Sequence, residues 1–282
     1  MRLKSPSTVA TRTINTEYTP NEAKREEATA KVIILGGAFE VDRVIANTSG
    51  AVNEIEFQVK EKTKAGANYF HHLVINGSSA ASGSGYVTST FDGLKKILAG
   101  SDTEYTSESD ISTSALLDSN YNVFLDELDG FISKLAEKPD ILLMNNDMLT
   151  KTRSAARRAG FYERNVDGFG RTVEKYNGIP MMDVGQYYNG TNTVDVIETS
   201  TPSASTYGET SIYAVKLGLN AFHGISVDGS KMIHTYLPDL QAPGAVKKGE
   251  IELLAGAVLK NSKMAGVLKG IKIKPKTEAS GG

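Results

Sequence analysis

The sequence predicts an α+β protein, and three observations carry that reading. Val52, Ile55, Val59, Gly66, Tyr69, Phe70 and Leu73 recur at three-, four- and seven-residue intervals, the spacing of one face of a long helix. The last third breaks into short runs of β-formers separated by turn dipeptides such as Asn177-Gly178 and Asn189-Gly190. Between them stands a strand-then-helix unit, Asp140-Ile141-Leu142-Leu143-Met144, followed by Asn145-Asn146-Asp147, whose side chains can cap a helix running through Arg158.

Taken in order, the first 30 residues are polar, and beyond Leu3, Val9, Ile14 and Tyr18 they hold almost nothing that could build a core. β-formers over 8–18 and a strand-like run over 31–45, joined by the charged stretch 20–27, predict a long exposed β-hairpin. Gly36-Gly37 predicts a bulge or bend, after which Phe39, Val41 and Arg43 alternate as the hairpin enters the body. Replacing Phe39 by Asp is therefore expected to impair assembly more than folding.

Asn47-Thr48-Ser49 supplies N-cap chemistry for a helix over 49–75, roughly 40 Å long, with Lys60, Glu61, Lys62 and Lys64 largely on its wet side. It ends at Asn76-Gly77. Residues 77–85 read as a flexible surface loop and 91–98 as a short docked helix. Tyr121, Phe124, Leu125, Leu128, Ile132 and Leu135 predict a helix over 119–137, stopped by Pro139, with a new domain starting nearby. Strands are expected at 171–176, 179–184, 193–198, 211–219, 231–237, 250–259 and 264–273.

Composition narrows the function classes. At 282 residues the chain has about two domains' worth of length. A compact globule of this mass would expose about 12,000 Å² of the roughly 44,000 Å² open in the unfolded chain, enough burial for a sizeable core. A net charge of −2 argues against a protein that coats nucleic acid electrostatically. The absence of cysteine removes disulfides, thiolate metal sites and thiol nucleophiles. The opening residues lack an apolar signal core and no window approaches ~18 apolar residues, so the protein is expected to be made and kept in the cytoplasm.

The search for catalytic chemistry yields no catalytic, cofactor-binding or metal-binding residue. Gly224-Ile225-Ser226-Val227-Asp228-Gly229-Ser230-Lys231 approaches a phosphate-binding loop, but Ser230 separates the second glycine from the lysine, and the stretch reads as a strand and turn. His71, His72, His223 and His234 do not fall at metal-ligand spacing; on the helix His71 and His72 diverge by about 100° and read as one solvated and one packed side chain. Residues 97–133 contain no Lys or Arg and eight carboxylates: Asp102, Glu104, Glu108, Asp110, Asp118, Asp126, Glu127 and Asp129. A carboxylate-dependent hydrolase built within 102–129 is the remote alternative this stretch leaves open. Its better reading is electrostatic, because residues 247–276 carry eight Lys against two Glu, opposite-signed faces that copies of one chain could bring together.

The order of features resembles a known family. Leu35-Gly36-Gly37-Ala38-Phe39-Glu40-Val41-Asp42-Arg43-Val44, Phe57-Gln58-Val59-Lys60 with Leu73-Val74-Ile75-Asn76-Gly77, and Phe91-Asp92-Gly93-Leu94 carry the likeness. It continues through Pro139-Asp140-Ile141-Leu142-Leu143-Met144-Asn145, Gly168-Phe169-Gly170 with Tyr176-Asn177-Gly178-Ile179-Pro180, and Leu268-Lys269-Gly270-Ile271-Lys272-Ile273. In this order they resemble the tailed-bacteriophage major capsid proteins of the Hong Kong 97-like fold, shared in outline with encapsulin shells.

That resemblance implies an extended β-hairpin loop over 1–45, with the N-terminal arm common in such proteins missing or very short. It implies a peripheral domain, a long spine helix on a long β-sheet, from 46–118 and 231–276. An axial α/β domain over 119–230 and a tail over 277–282 complete the division. It further implies a non-enzymatic shell protein with no cofactor, whose partner is itself, as hexamers and pentamers in a closed icosahedral shell around phage DNA. Scaffold, portal and decoration proteins are implied as further partners. DNA would be contacted weakly and without sequence specificity, and no membrane is involved. The implied location is the virion capsid, assembled in the host cytoplasm. The alternative is an encapsulin-like bacterial nanocompartment shell.

Overall fold

The structure is a computed structural model and describes residues 2–5, 7–26, 29–48, 53–80, 90–160, 163–166, 172–201, 207–227 and 232–275. In chain order its elements are β1 (Arg2–Ser5), β2 (Lys24–Glu26), β3 (Ile33–Asp42), α1 (Arg43–Thr48), α2 (Glu54–Asn76), α3 (Leu94–Leu98), β4 (Glu104–Thr106), α4 (Ser114–Ser133), β5 (Ile141–Met144) and α5 (Asn146–Arg158). There follow β6 (Glu163–Val166), β7 (Thr172–Tyr176), β8 (Ile179–Asp183), β9 (Gln186–Tyr188), β10 (Thr193–Asp195), β11 (Gly208–Val215), β12 (Phe222–Ile225), β13 (Ile233–Tyr236), β14 (Val246–Leu259) and β15 (Ala265–Lys274).

β1 and β2 pair only with each other, forming the base of a hairpin. Its tip is a turn at residues 13–16, closed by the Thr16 amide (3.3 Å) and hydroxyl (2.7 Å), both donating to the Thr13 carbonyl. Asn15 sits there at φ 65°, a left-handed conformation asparagine tolerates. The run expected as one strand over 8–18 therefore contains the reversal, and 20–27 holds part of the returning leg. Threonine favours strands, but its hydroxyl also competes for backbone groups, which here closes a turn.

β3, expected as the second leg, belongs to the body. It pairs antiparallel with β14 from Asp42↔Val246 to Ile33↔Ala255, while β12 and β13 line the opposite edge of β14. The register is unbroken at Gly36 and Gly37, so the expected bulge is absent. Glycine is needed at 36 because a Cβ there would stand 2.0 Å from the Ile251 carbonyl oxygen. Gly249 lies opposite Phe39, whose ring covers it. Phe39 packs in a buried cluster with Val41 and Ile251, so Phe39→Asp would damage the fold itself, contrary to the sequence expectation.

α2 crosses this sheet. Its N-cap is Asn53, accepting from the amides of Ile55 and Glu56, while Asn47 and Thr48 lie in α1 and Ser49 lies outside the described residues. Ile55 and Val59 meet the Phe39 cluster; Tyr69, Phe70 and Leu73 meet Ile33, Leu35 and Ala257. The helix stops at Gly77 as expected, but Gly77 and Ser78 are buried against the segment leading to α3; residues 81–85 of the expected loop lie outside the described residues.

The larger sheet has seven strands in the order β4-β15-β11-β5-β8-β7-β6. α4 and α5 cover it: Phe124, Leu128, Phe131 and Met148 pack with Leu142, Met144, Ile212, Leu268 and Ile271. α4 begins earlier than expected because Thr113 caps Leu116, and ends at Ser133, although Leu135 stays buried. The Asn177-Gly178 turn has φ of 50° and 73° and joins β7 to β8 as its sequence predicts. β4, β6 and β9 were not expected as strands, while β12 reaches into the stretch read as a strand and turn.

One topological expectation fails. β13 and β14 return to the sheet under α2, but β15 runs antiparallel to β11 and parallel to β4 in the seven-stranded sheet. The grouping of 231–276 with 46–118 does not hold for 265–274, nor for 104–106. β15 is covered on both faces: Leu268, Ile271 and Ile273 join the core under α4, while Ala265 and Val267 join a second core with Ile75, Leu94 and Leu98. An apolar strand buried on both sides carries no alternation that names its sheet.

Candidate assembly surfaces

The hairpin is held by contacts between its own legs. Asn21 Nδ2 donates to Thr8 Oγ1 at 2.8 Å, Arg12 Nη1 to the Thr16 carbonyl at 3.3 Å, and the Arg12 guanidinium lies 5.5 Å from the Tyr18 ring centroid. Every residue from 7 to 23 is exposed, including Val9 at 100%, Ile14 at 88% and Tyr18 at 57%. A two-stranded hairpin with no covered face is marginal alone in water. The chain as a whole exposes 16790 Å², well above the roughly 12,000 Å² of a compact globule of its mass.

The acidic stretch is largely absorbed by local structure. Glu127 accepts from the Ser107 hydroxyl (2.5 Å), the Ser109 hydroxyl (2.7 Å) and the Glu108 amide (3.1 Å). Asp129 accepts from the Tyr176 hydroxyl at 2.9 Å, Asp118 pairs with Arg158 at 2.5 Å, and Asp110 accepts from the Ser112 amide. Among the described residues no three potential metal-ligating side chains cluster.

The basic C-terminal stretch meets the acidic one within the same chain. Lys269 pairs with Glu104 of that stretch at 2.7 Å, and Lys274 with Asp147 of α5, outside it, at 2.8 Å, because β15 lies beside β4 and near the start of α5. Buried Lys247 donates to the Ala242 carbonyl. Lys269 and Glu104 thus join the two charged runs within one chain.

Two clefts flank α2. The first, about 340 Å³, lies between α2, β3 and β13 and is lined by Leu35, Gly36, Phe70, Ile233 and Leu253, with Lys62 at its edge. The second, about 510 Å³, lies between α2, α3 and the seven-stranded sheet and has mixed walls, with Ile75, His72, Asn76, Lys95, Tyr187 and Glu209 among them. His72 is 5% exposed and stacks on Tyr187 with centroids 3.9 Å apart, whereas His71 is exposed, the division expected from their helical positions. Burial, aided by the Lys95 charge, pulls the His72 pKa down to about 4. The adjacent histidines were a visible signal; Tyr187, arriving from a distant hairpin, was not. Among the described residues no helix is long and apolar enough to cross a membrane.

The hairpin, the long helix on a long-stranded sheet and the second sheet covered by two helices make up the Hong Kong 97-like fold, which is the fold of this chain. Among solved structures, it is similar to the holo-SrpI encapsulin complex from Synechococcus elongatus, with a TM-score of 0.66 and 12% identity over 93% of this chain and 81% of that one. It is similar to the capsid of Myoviridae phage XM1, with a TM-score of 0.53 and 14% identity over 96% and 84% of the two chains. The capsid of a native GTA particle matches with a TM-score of 0.56 and 11% identity over 95% and 83%. No family model and no curated protein matches the sequence.

Proposed function

We propose that this chain is a shell-forming structural protein, in the main reading the major capsid protein of a tailed phage, which encloses DNA in a closed icosahedral shell of hexamers and pentamers. The carrying observation is the hairpin: residues 7–23 are all exposed, so their apolar side chains gain burial by packing on another copy. The seven-stranded sheet with α4 and α5 serves as the axial unit that gathers into rings. The sheet under α2 serves as the peripheral unit. The work of the protein lies in many modest contacts multiplied by valency, without catalysis. Scaffold, portal and decoration proteins are its further partners, DNA is contacted weakly and without sequence preference, and assembly takes place in the host cytoplasm.

Sedimentation and negative-stain microscopy of the purified chain test this reading. Wild type is expected as closed particles, and Ile14→Asp as small species with unchanged circular dichroism, since an exposed substitution shifts stability by only about 0.5 kcal/mol. A wild-type chain that stays monomeric at high concentration, its hairpin protected from protease, would refute it.

The encapsulin-like reading is favoured by one observation, the TM-score of 0.66 to an encapsulin against 0.53 and 0.56 to the two capsids. The contents of purified particles discriminate: nuclease-protected DNA supports the capsid, a co-purifying enzyme the compartment.

A further inference from the structure

The sheet under α2 leaves one long strand with a free side. β3 pairs with β14 along one edge, and among the described residues no backbone group bonds to its other edge. It is 10 residues long, about 34 Å at about 3.4 Å per residue. Among the described residues the other strands at sheet edges, β4, β6, β12 and β13 with both strands of each two-stranded sheet, have 3 or 4 residues. A short edge resists pairing with another chain, whereas a long one invites it unless a proline, a lysine, a bulge or a covering segment intervenes. β3 contains no proline or lysine, its register is unbroken, and Ile34, Gly36, Ala38 and Glu40 are exposed. At its middle, Gly36-Gly37-Ala38 carries nothing larger than a methyl group that could hold a second backbone away.

The charges on the strand select the occupant and its direction. Both carboxylates, Glu40 and Asp42, stand at one end, and Ile33, Ile34 and Leu35 at the other. A second β3 laid parallel would bring like charges side by side, which is destabilising. Laid antiparallel, it carries the acidic end of each copy to the uncharged end of the other. Opposed residues of an antiparallel pair share a face of the sheet, so a twofold axis relating the strands passes through a residue and not between two. At Gly37 that axis would draw two Lys62 ammoniums together, because Lys62 Nζ lies 3.6 Å from where a Cβ on Gly37 would stand. At Ala38 it sets Glu40 opposite Gly36 and Asp42 opposite Ile34. The two copies of Glu40 are then four rungs apart, about 14 Å, beyond the screening length of about 10 Å.

We propose that β3 of one copy pairs antiparallel with β3 of a second copy about a twofold axis at Ala38, so that two four-stranded sheets become one continuous sheet with both α2 helices on the same face. The contact is isologous: one surface serves both partners, and the backbone groups left free on each strand satisfy those of the other. The proposal rests on the reading of this chain as self-associating and supplies that reading with one defined contact, separate from the hairpin.

Disulfide trapping tests it, because the chain has no cysteine and each introduced thiol reports a single contact. Directly opposed residues have Cα atoms about 4.5–5.5 Å apart, within disulfide reach. Ala38→Cys is therefore expected to give a reducible dimer under mild oxidant, at a yield several-fold above that of Glu40→Cys, which lies on the same face two residues away but far from its own copy. Ile34→Cys and Asp42→Cys should each stay monomeric on a non-reducing gel and form a dimer when co-expressed. This second pair stands independently if Ala38→Cys fails to fold by circular dichroism. Equal dimer yields from Ala38→Cys and Glu40→Cys, or no dimer from the co-expressed pair, overturns the proposal. Sedimentation of the wild type keeps the two readings apart: closed particles whose variants do not cross-link sink this contact alone, and cross-linked dimers without closed particles sink the shell alone.

Discussion

Acidification should unfasten α2 from the larger sheet through one residue. His72 is buried as the neutral imidazole, stacked on Tyr187, with Asn76 alongside donating to Val196. The groups around it are Tyr69 and Asn76 on α2, Lys95 on α3, Tyr187 on β9, and across the cleft Glu198, Glu209 and Lys269. Its folded pKa is about 4 against 6.5 for the free side chain, so the unfolded chain takes up the proton first. The contribution is fully present above pH 6.5 and is lost as the pH falls toward 4.

At about 1.4 kcal/mol per pH step, the linkage amounts to about 2 kcal/mol lost by pH 5 and about 3 kcal/mol by pH 4. Glu104 and Asp140 also titrate low, because their hydrogen bonds and ammonium partners outweigh the opposing effect of burial; their stabilisation is present above the ordinary carboxylate values of 4.5 and 3.8 and is lost as the pH falls through those values toward the lowered ones. The window between pH 7.5 and 5 therefore isolates the histidine. Urea unfolding followed by circular dichroism, on wild type and His72→Gln, should give a wild-type stability that falls by about 2 kcal/mol across that window and a variant without that slope. Identical slopes, whatever the absolute stabilities, would refute the reasoning.

Two further substitutions test the packing. Asn145 Nδ2 donates to the Ile197 carbonyl, Thr199 Oγ1 and Thr210 Oγ1, and its Oδ1 caps the Met148 amide, so Asn145→Ala should cost about 3 kcal/mol, the lost cap plus buried groups left unpaired; a loss under about 1 kcal/mol in denaturant unfolding would contradict this. Gly249→Ala places a Cβ 2.4 Å from Phe39 Cζ and should cost about 1–3 kcal/mol, with much of it restored when Phe39 is shortened to Leu in a double-mutant cycle; strict additivity would show that the two do not meet.

Legibility in the sequence followed the range of the interaction. α2, α5 and the β7–β8 turn were readable because periodicity, caps and Asn-Gly chemistry act within a few residues. The hairpin was readable as an exposed, coreless arm but not in its internal register, because threonine serves strand and turn alike. The contact between the two charged runs within the chain was not legible for another reason. Lys269 and Glu104 are 165 positions apart, and only the parallel pairing of β15 with β4 makes them partners within one chain.

Composition and local pattern alone determined that this is an α+β chain with a long helix, a β-rich end and a polar opening segment unable to cover itself, because those properties depend on what each short stretch must bury. Tertiary structure decided which sheet receives the last strand, where the hairpin turns, and that His72 meets Tyr187 beside a cleft. Those outcomes depend on pairing between distant segments, and backbone hydrogen bonds are the same for every sequence that makes them.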